Sequence, residues 1–248
     1  MDELRTEGFV HLGPVLEPGE VAALRLALER KLTDQTILTD DAGDHIRGVS
    51  LMRMFEYDRS FRDLVVREPF PSLAEAVLGD DCHLLAQNAL AYDSGQGGGW
   101  HVDDLVHFPA TAGCHPDGLK VPCLVMQIFT PLTDMDEISG CTQVVPGSHN
   151  SGCRPPTDDE EPVFRGRGPV SIEACAGDAY LFHNQIWHRG SKNCSKQTRL
   201  VTGATYSRRF IAQRFYPFID YRMPDHVWEG ADERLQRLLG RHDKGAYG

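Results

Sequence analysis

Apolar residues in the first part of the chain recur at helical spacing. From Pro18 they return every three or four positions, at Val21, Leu24, Leu28 and Leu32. This spacing predicts an amphipathic helix of about four turns, and a proline suits its first turn. Shorter helices are predicted at residues 61–66 and 71–78. The first 80 residues are therefore expected to be mainly helical.

Beyond residue 80 the pattern changes to short apolar runs bounded by Gly, Pro and Asp. The runs predicted as strands are residues 82–92, 121–131, 142–145, 170–173, 179–182 and 198–206. Many short strands without helices between them are typical of a β-sandwich or jelly roll. We predict a mainly β fold with flanking helices.

A chain of 248 residues, 41% of them hydrophobic, can bury one well-packed core. We expect a single domain over residues 1–248, with a helical part at about 1–80, a jelly-roll core at about 81–210 and a tail at about 211–248. Residues 148–168 are rich in Pro, Gly and acidic residues, so they form either a lid or a solvated surface loop.

The net charge of −11 disfavours nucleic acids and anionic membranes as partners, since both repel an acidic protein. No apolar run approaches the roughly 20 residues that span a bilayer, and the start of the chain lacks the features of a signal peptide. We therefore expect a cytoplasmic protein with a small-molecule substrate. The oligomeric state stays open.

The seven cysteines are odd in number and scattered, with no C-x-x-C pair. This pattern indicates neither a disulfide framework nor a structural zinc site. We expect reduced thiols.

Candidate chemistry begins at His101 and Asp103, which are two positions apart. In an extended segment both side chains lie on one face and can reach the same ion. His188 and Arg199 follow far along the chain, where a returning strand can bring them back to the first pair. Two imidazoles and one carboxylate are the donors of non-haem Fe(II) oxygenases. An H-x-D tripeptide alone is common, so the flanking motifs matter.

Those motifs resemble a known family. They are Trp100-His101-Val102-Asp103, the run from Gly140 to His149, Gly177-Asp178 ahead of Phe182-His183-Asn184, and His188 with Arg199. Together they resemble the phytanoyl-CoA dioxygenase family of Fe(II)/2-oxoglutarate-dependent oxygenases. The match runs in register from about Leu84 to Tyr206.

The resemblance implies a double-stranded β-helix core, which is a cupin-like jelly roll. It implies that His101, Asp103 and His188 hold Fe(II), and that 2-oxoglutarate and O2 occupy the remaining positions. It also implies that Arg199 binds the distal carboxylate of 2-oxoglutarate, a role suited to a planar, permanently charged guanidinium.

Two amides are further candidates for contact with the co-substrate. Asn88 resembles the family's polar residue near the metal-binding end of 2-oxoglutarate. Gln127 lies in the apolar run 124–129, where a buried amide needs a partner. Either side chain could instead satisfy a neighbouring backbone group.

The implied reaction is oxidation of a substrate C–H bond by O2, with 2-oxoglutarate converted to succinate and CO2. Related halogenases lack the carboxylate ligand, so Asp103 favours hydroxylation or another oxidation. Cyclisation or desaturation of a glycosidic or other biosynthetic intermediate is the alternative outcome. We expect a small metabolite or natural-product intermediate as substrate.

Two other classes of protein could share the metal ligands. A cupin-like metal-binding module without oxygenase activity would need neither Arg199 nor Asp103 in this register. A zinc-dependent hydrolase or isomerase could bind its ion at the same three residues. Dependence on 2-oxoglutarate distinguishes the oxygenase from both.

Overall fold

The strands form two antiparallel sheets. The computed structural model describes residues 2–34, 48–103, 120–156, 161–215 and 221–245. Its strands are β1 (Phe9–Pro14), β2 (Val49–Met52), β3 (His83–Tyr92), β4 (Val125–Pro131), β5 (Thr142–Val144), β6 (Val170–Ile172), β7 (Asp178–His183), β8 (His188–Gly190) and β9 (Arg199–Ser207). The larger sheet has the order β1-β7-β4-β9-β3-β2, and the smaller has the order β6-β5-β8.

The predicted strands correspond to β3, β4, β5, β6, β7 and β9. Sequence reasoning missed β1 and β2, which lie in the part expected to be helical and pair with β7 and β3 at the two edges of the larger sheet. It also missed β8, which is three residues long and too short to show an alternating pattern.

The helices are α1 (Asp2–Thr6), α2 (Pro18–Thr33), α3 (Met54–Tyr57), α4 (Arg59–Val65), α5 (Phe70–Leu78), α6 (Asp225–Trp228) and α7 (Glu233–Leu238). The three helices predicted from spacing correspond to α2, α4 and α5. A capping box between Glu17 and Glu20 starts α2, with the Glu17 amide 2.8 Å from a Glu20 carboxylate oxygen. The Asp58 side chain accepts from the Ser60 amide at 2.9 Å and caps α4.

Side chains of the larger sheet alternate between two apolar clusters. On β7, Leu181 packs with the helices on one side, while Tyr180 and Phe182 lie on the other side. Met126 and Phe129 on β4 divide in the same way. Because successive strand residues face opposite sides, one face binds the helices and the other faces the smaller sheet. The candidate site residues lie in the space between the two sheets.

The segment around Cys153 differs from the expectation of reduced cysteines, because Cys153 is disulfide-bonded. Cys153 packs with Phe164 and Trp187 in a small buried cluster. The described parts of the predicted loop 148–168 therefore include buried residues, while 157–160 lie outside the described residues. None of the helices in the described ranges has the length and apolar character to cross a membrane.

Candidate metal centre

Three predicted ligands meet at one end of the smaller sheet. The His101 amide donates to the His188 carbonyl at 2.9 Å, and the His188 amide donates back at 3.0 Å, so a two-way backbone bridge fixes both residues. Nε2 of His101 lies 3.7 Å from Asp103 Oδ1, and Nε2 of His188 lies 3.5 Å from Asp103 Oδ2. One ligand atom from each residue lies within 4.8 Å of the other two. This donor set fits one divalent ion with coordination positions left open.

Backbone carbonyls orient both imidazoles. His101 Nδ1 is 2.8 Å from the Gly99 oxygen, and His188 Nδ1 is 2.9 Å from the Ile186 oxygen. Because a carbonyl oxygen only accepts hydrogen bonds, each Nδ1 must carry the proton. Each Nε2 therefore presents its lone pair towards Asp103, as metal-binding histidines do.

The carboxylate of Asp103 is held from the opposite sheet. The Gln127 side chain, 7% exposed on β4, donates from Nε2 to Asp103 Oδ2. Gln185 Nε2 makes a longer contact of 3.4 Å with the Asp103 backbone oxygen. Sequence reasoning placed the Gln127 amide against the co-substrate or a neighbouring backbone group, whereas in the structure it donates to the Asp103 carboxylate.

Burial keeps His188 in the neutral, metal-binding form. It lowers the pKa of His188 to about 4, and the neighbouring Asp103 carboxylate opposes that shift only in part. The His188 side chain is 8% exposed, whereas that of His101 is 45% exposed. Within the described residues, the group is thus closed on the His188 side and open on the His101 side.

Arg199 begins β9 as a buried cation, with 3% of the residue exposed. Its Nη1 donates to the Ser191 carbonyl at 2.9 Å, and its guanidinium carbon lies 4.2 Å from the centre of the Tyr92 ring. No Asp or Glu of the described ranges forms an ion pair with it. Burial lowers the pKa of Arg199, yet an arginine stays protonated in proteins. A buried cation without a carboxylate is costly, so the arrangement fits an anionic ligand.

Strand register places Arg199 and both amides on the inner face of the larger sheet. Arg199 on β9 pairs with Tyr92, and Gly203, four residues on, pairs with Asn88. Thr205, two residues further, pairs with Gln127. Residues of even spacing share a face. Within the described residues, the half-buried Asn88 side-chain amide has no hydrogen-bond partner.

The Arg199 guanidinium lies near one of the candidate ligands along the chain. A Cβ built on Gly190 would be 3.3 Å from Arg199 Nη2, so the guanidinium lies beside Gly190 on β8. His188 is two residues earlier on the same face, which corresponds to about 7 Å along a strand. The guanidinium therefore lies beside the strand that carries His188.

A comparison with known families decides the assignment. The sequence profile named phytanoyl-CoA dioxygenase (PhyH) matches residues 4–201. The chain belongs to the phytanoyl-CoA dioxygenase family. It is a 2-oxoglutarate-dependent dioxygenase that uses Fe(II) and O2, as its motifs predicted.

Known proteins resemble three quarters or more of the chain. An uncharacterised protein of Mycobacterium tuberculosis is 25% identical, over 98% of this chain and 86% of its own length. Ectoine dioxygenase of Nocardia farcinica is 27% identical, over 75% of this chain and 70% of its own length. The crystal structure of the epimerase SnoN with Fe3+, alpha-ketoglutarate and nogalamycin RO has a TM-score of 0.66 at 20% identity, over 90% of this chain and 91% of SnoN. This likeness confirms the predicted jelly-roll fold, the double-stranded β-helix.

Sequence reasoning missed two aromatic residues near the arginine of this dioxygenase. Tyr92 stacks on Arg199, and it could have been found from its even spacing with Asn88 on one predicted strand. The Tyr180 hydroxyl lies 2.7 Å from Thr142 Oγ1, a bond that joins the two sheets.

Four other histidines lie between Asp103 and His188 in the sequence. His149 and His183 form a separate buried pair with ring centres 5.1 Å apart, outside the metal-binding group found in the described ranges. His107 and His115 lie outside the described residues.

Proposed function

We propose that His101, Asp103 and His188 bind the Fe(II) of this dioxygenase, and that Arg199 binds the distal carboxylate of 2-oxoglutarate. The reaction is hydroxylation of a C–H bond in a small metabolite or natural-product intermediate, with release of succinate and CO2. The observation that carries the proposal is the buried Arg199, which lacks an acidic partner in the described ranges and lies beside the strand of His188.

The protein's own groups prepare the metal site before any ligand arrives. The carbonyls of Gly99 and Ile186 fix the imidazole tautomers, and Gln127 turns the Asp103 carboxylate. Preformed ligands lose little freedom on metal binding, which favours affinity. Bound Fe(II) would supply the activation of O2. The exposed His101 side leaves room for a substrate to approach.

The co-substrate would lie along the inner face of the larger sheet. Arg199 offers Nη2 and the charge, since Nη1 is already donating to Ser191. The Asn88 amide, without a partner in the described ranges, is available to the opposite end of the ligand. Gln127 acts on Asp103 and contributes to the site through that ligand.

A small-molecule substrate agrees with the names of the relatives. The Nocardia farcinica enzyme is named for ectoine, and SnoN was crystallised with nogalamycin RO. Asp103 as a third ligand argues against halogenation and fits hydroxylation as well as other oxidations.

Anaerobic titration tests the proposal. Apo-protein receives Fe(II) and then 2-oxoglutarate while the weak visible charge-transfer band of the chelate is followed. We expect a band that requires both additions. In Asp103→Ala the band and Fe(II)-dependent succinate release should be lost, while thermal unfolding of the apo-protein stays close to that of the wild type. A folded Asp103→Ala protein with wild-type activity would remove Asp103 from the ligand set.

A further inference from the structure

The backbone at Gly140 approaches Arg199 more closely than any side chain would allow. A Cβ built on Gly140 would lie 2.3 Å from Arg199 Nη1, 2.5 Å from the Ser191 oxygen and 2.9 Å from the Lys192 oxygen. Real Cβ atoms essentially never come within 3.0 Å of such atoms. Two of the three are backbone oxygens and cannot rotate away, so any substitution must move the guanidinium or the chain.

Hydrogen bonds hold the two segments at this distance. The Ser191 amide donates to the Cys141 oxygen at 2.9 Å, and the Ser191 hydroxyl accepts from the Cys141 amide at 2.9 Å. The Ser191 carbonyl in turn accepts from Arg199 Nη1. The segments of Gly140 and Ser191 thus form one wall, and the guanidinium rests against it.

This wall decides which part of the guanidinium is available. Nη1 is directed to Ser191, the ring of Tyr92 covers one face of the guanidinium, and Nη2 lies beside Gly190. A guanidinium binds a carboxylate well only when its donors have the right orientation, because the fork is planar. A shift of Nη1 therefore changes the direction of the remaining donors.

We infer that Gly140 is a positioning residue for 2-oxoglutarate, because a missing side chain at this position lets Arg199 rest on the Ser191 carbonyl and turn Nη2 to the co-substrate. The inference rests on the proposed role of Arg199. It also explains why the run from Gly140 to His149 begins with glycine. That glycine meets two needs, since its φ of +79° is in the left-handed region and its Cα faces Arg199.

Matched variants separate the need for a left-handed backbone from the need for space beside Arg199. Gly13 has a φ of +73° and nothing within 4 Å of a built Cβ, so Gly13→Ala introduces similar backbone strain without a collision. Gly190 lies outside the left-handed region, and its built Cβ would be 3.3 Å from Arg199 Nη2. Gly190→Ala therefore introduces a tight contact with the guanidinium, milder than that at Gly140, without the backbone strain.

The experiment measures anaerobic binding of 2-oxoglutarate to the Fe(II) protein and, separately, Fe(II) affinity and unfolding temperature. For Gly140→Ala we expect both the dissociation constant and the Michaelis constant for 2-oxoglutarate to rise about tenfold or more, from loss of one charge-assisted hydrogen bond. Fe(II) affinity and kcat at saturating co-substrate should change less than about twofold. Gly13→Ala should bind 2-oxoglutarate like the wild type. Gly190→Ala should show a smaller rise in the dissociation constant.

The outcomes are distinguishable. A folded Gly140→Ala protein with wild-type affinity for 2-oxoglutarate overturns the inference, as does an equal loss in Gly13→Ala. If Gly140→Ala does not fold, Gly190→Ala decides, and an unchanged dissociation constant in that variant overturns it. A wild-type protein that binds Fe(II) but no 2-oxoglutarate refutes the proposed role of Arg199 instead.

Discussion

Replacement of Gln127 by methionine should weaken metal binding without unfolding the protein. Gln127 donates from Nε2 to Asp103 Oδ2, and that same oxygen lies 3.5 Å from His188 Nε2. Methionine has nearly the same length and fills the same space on β4, yet it has no donor. The carboxylate then loses the group that turns it towards the two imidazoles.

The exposure of the Asp103 side chain decides how much Fe(II) affinity should be lost. A hydrogen bond to a charged group contributes about 1.5–3 kcal/mol. Asp103 has a side chain that is 32% exposed, so water replaces part of the lost interaction. We therefore take the lower end, about 1.5 kcal/mol, which corresponds to a little over a tenfold higher Kd for Fe(II). Loss of a group that orients a metal ligand ordinarily costs about ten- to a hundredfold in affinity.

Gln87 provides a matched control on the opposite face of the same sheet. It is fully buried, and its Nε2 donates to the Phe61 carbonyl at 2.8 Å, on the side of the helices. Gln87→Met should cost about 1 kcal/mol and lower Tm by about 2–4 °C, with no change in Fe(II) affinity. Gln127→Met should instead weaken Fe(II) binding and leave Tm close to that of the wild type. Anaerobic Fe(II) titration and calorimetry of the apo-proteins measure both quantities. Wild-type Fe(II) affinity in a folded Gln127→Met protein would refute the reasoning.

Two further predictions concern buried groups. Arg199→Met should raise the dissociation constant for 2-oxoglutarate at least about tenfold. The Tm of the ligand-free protein should stay nearly unchanged, because a buried cation without a carboxylate adds little stability. Unchanged binding of 2-oxoglutarate would exclude Arg199 from the site. Burial lowers the pKa of His83 and of His149 from the ordinary value of about 6.5. Below that pH the unfolded chain binds protons more readily than the folded protein does, so the free energy of unfolding should fall as the pH drops below about 6.5. Calorimetry of the apo-protein from about pH 7 to about pH 5 measures the fall of Tm with pH, which should be smaller in His149→Gln. A Tm that does not change over this range contradicts the prediction.

Strands and helices with a strong local pattern were predictable from the sequence. The spacing of apolar residues predicted α2, α4 and α5, because a helix repeats within a few residues. Short apolar runs predicted six of the strands, because such a run is also visible within a few residues. The strand β8 was missed even though it carries His188, since three residues contain no period. The first 80 residues were expected to be helical, yet β1 and β2 complete the larger sheet from there.

Some expectations stay predictions. The single-domain organisation rests on length and composition, and the cytoplasmic location rests on the apolar pattern and the start of the chain. The roles of individual site residues rest on the motifs and on the proposals above. The expectation of reduced cysteines was wrong at Cys153, because cysteine spacing along the chain does not reveal which sulfur atoms become neighbours.

The family and the candidate site residues could be predicted without a structure: the candidate ligands His101, Asp103 and His188, and the cation Arg199. These depend on residue types in a characteristic order, which can be seen without a structure. The contact of Gln127 with Asp103 and the close approach of Gly140 to Arg199 could be seen only in the folded chain. Both contacts join segments distant in sequence, and they depend on strand register and sheet packing, for which no local pattern exists.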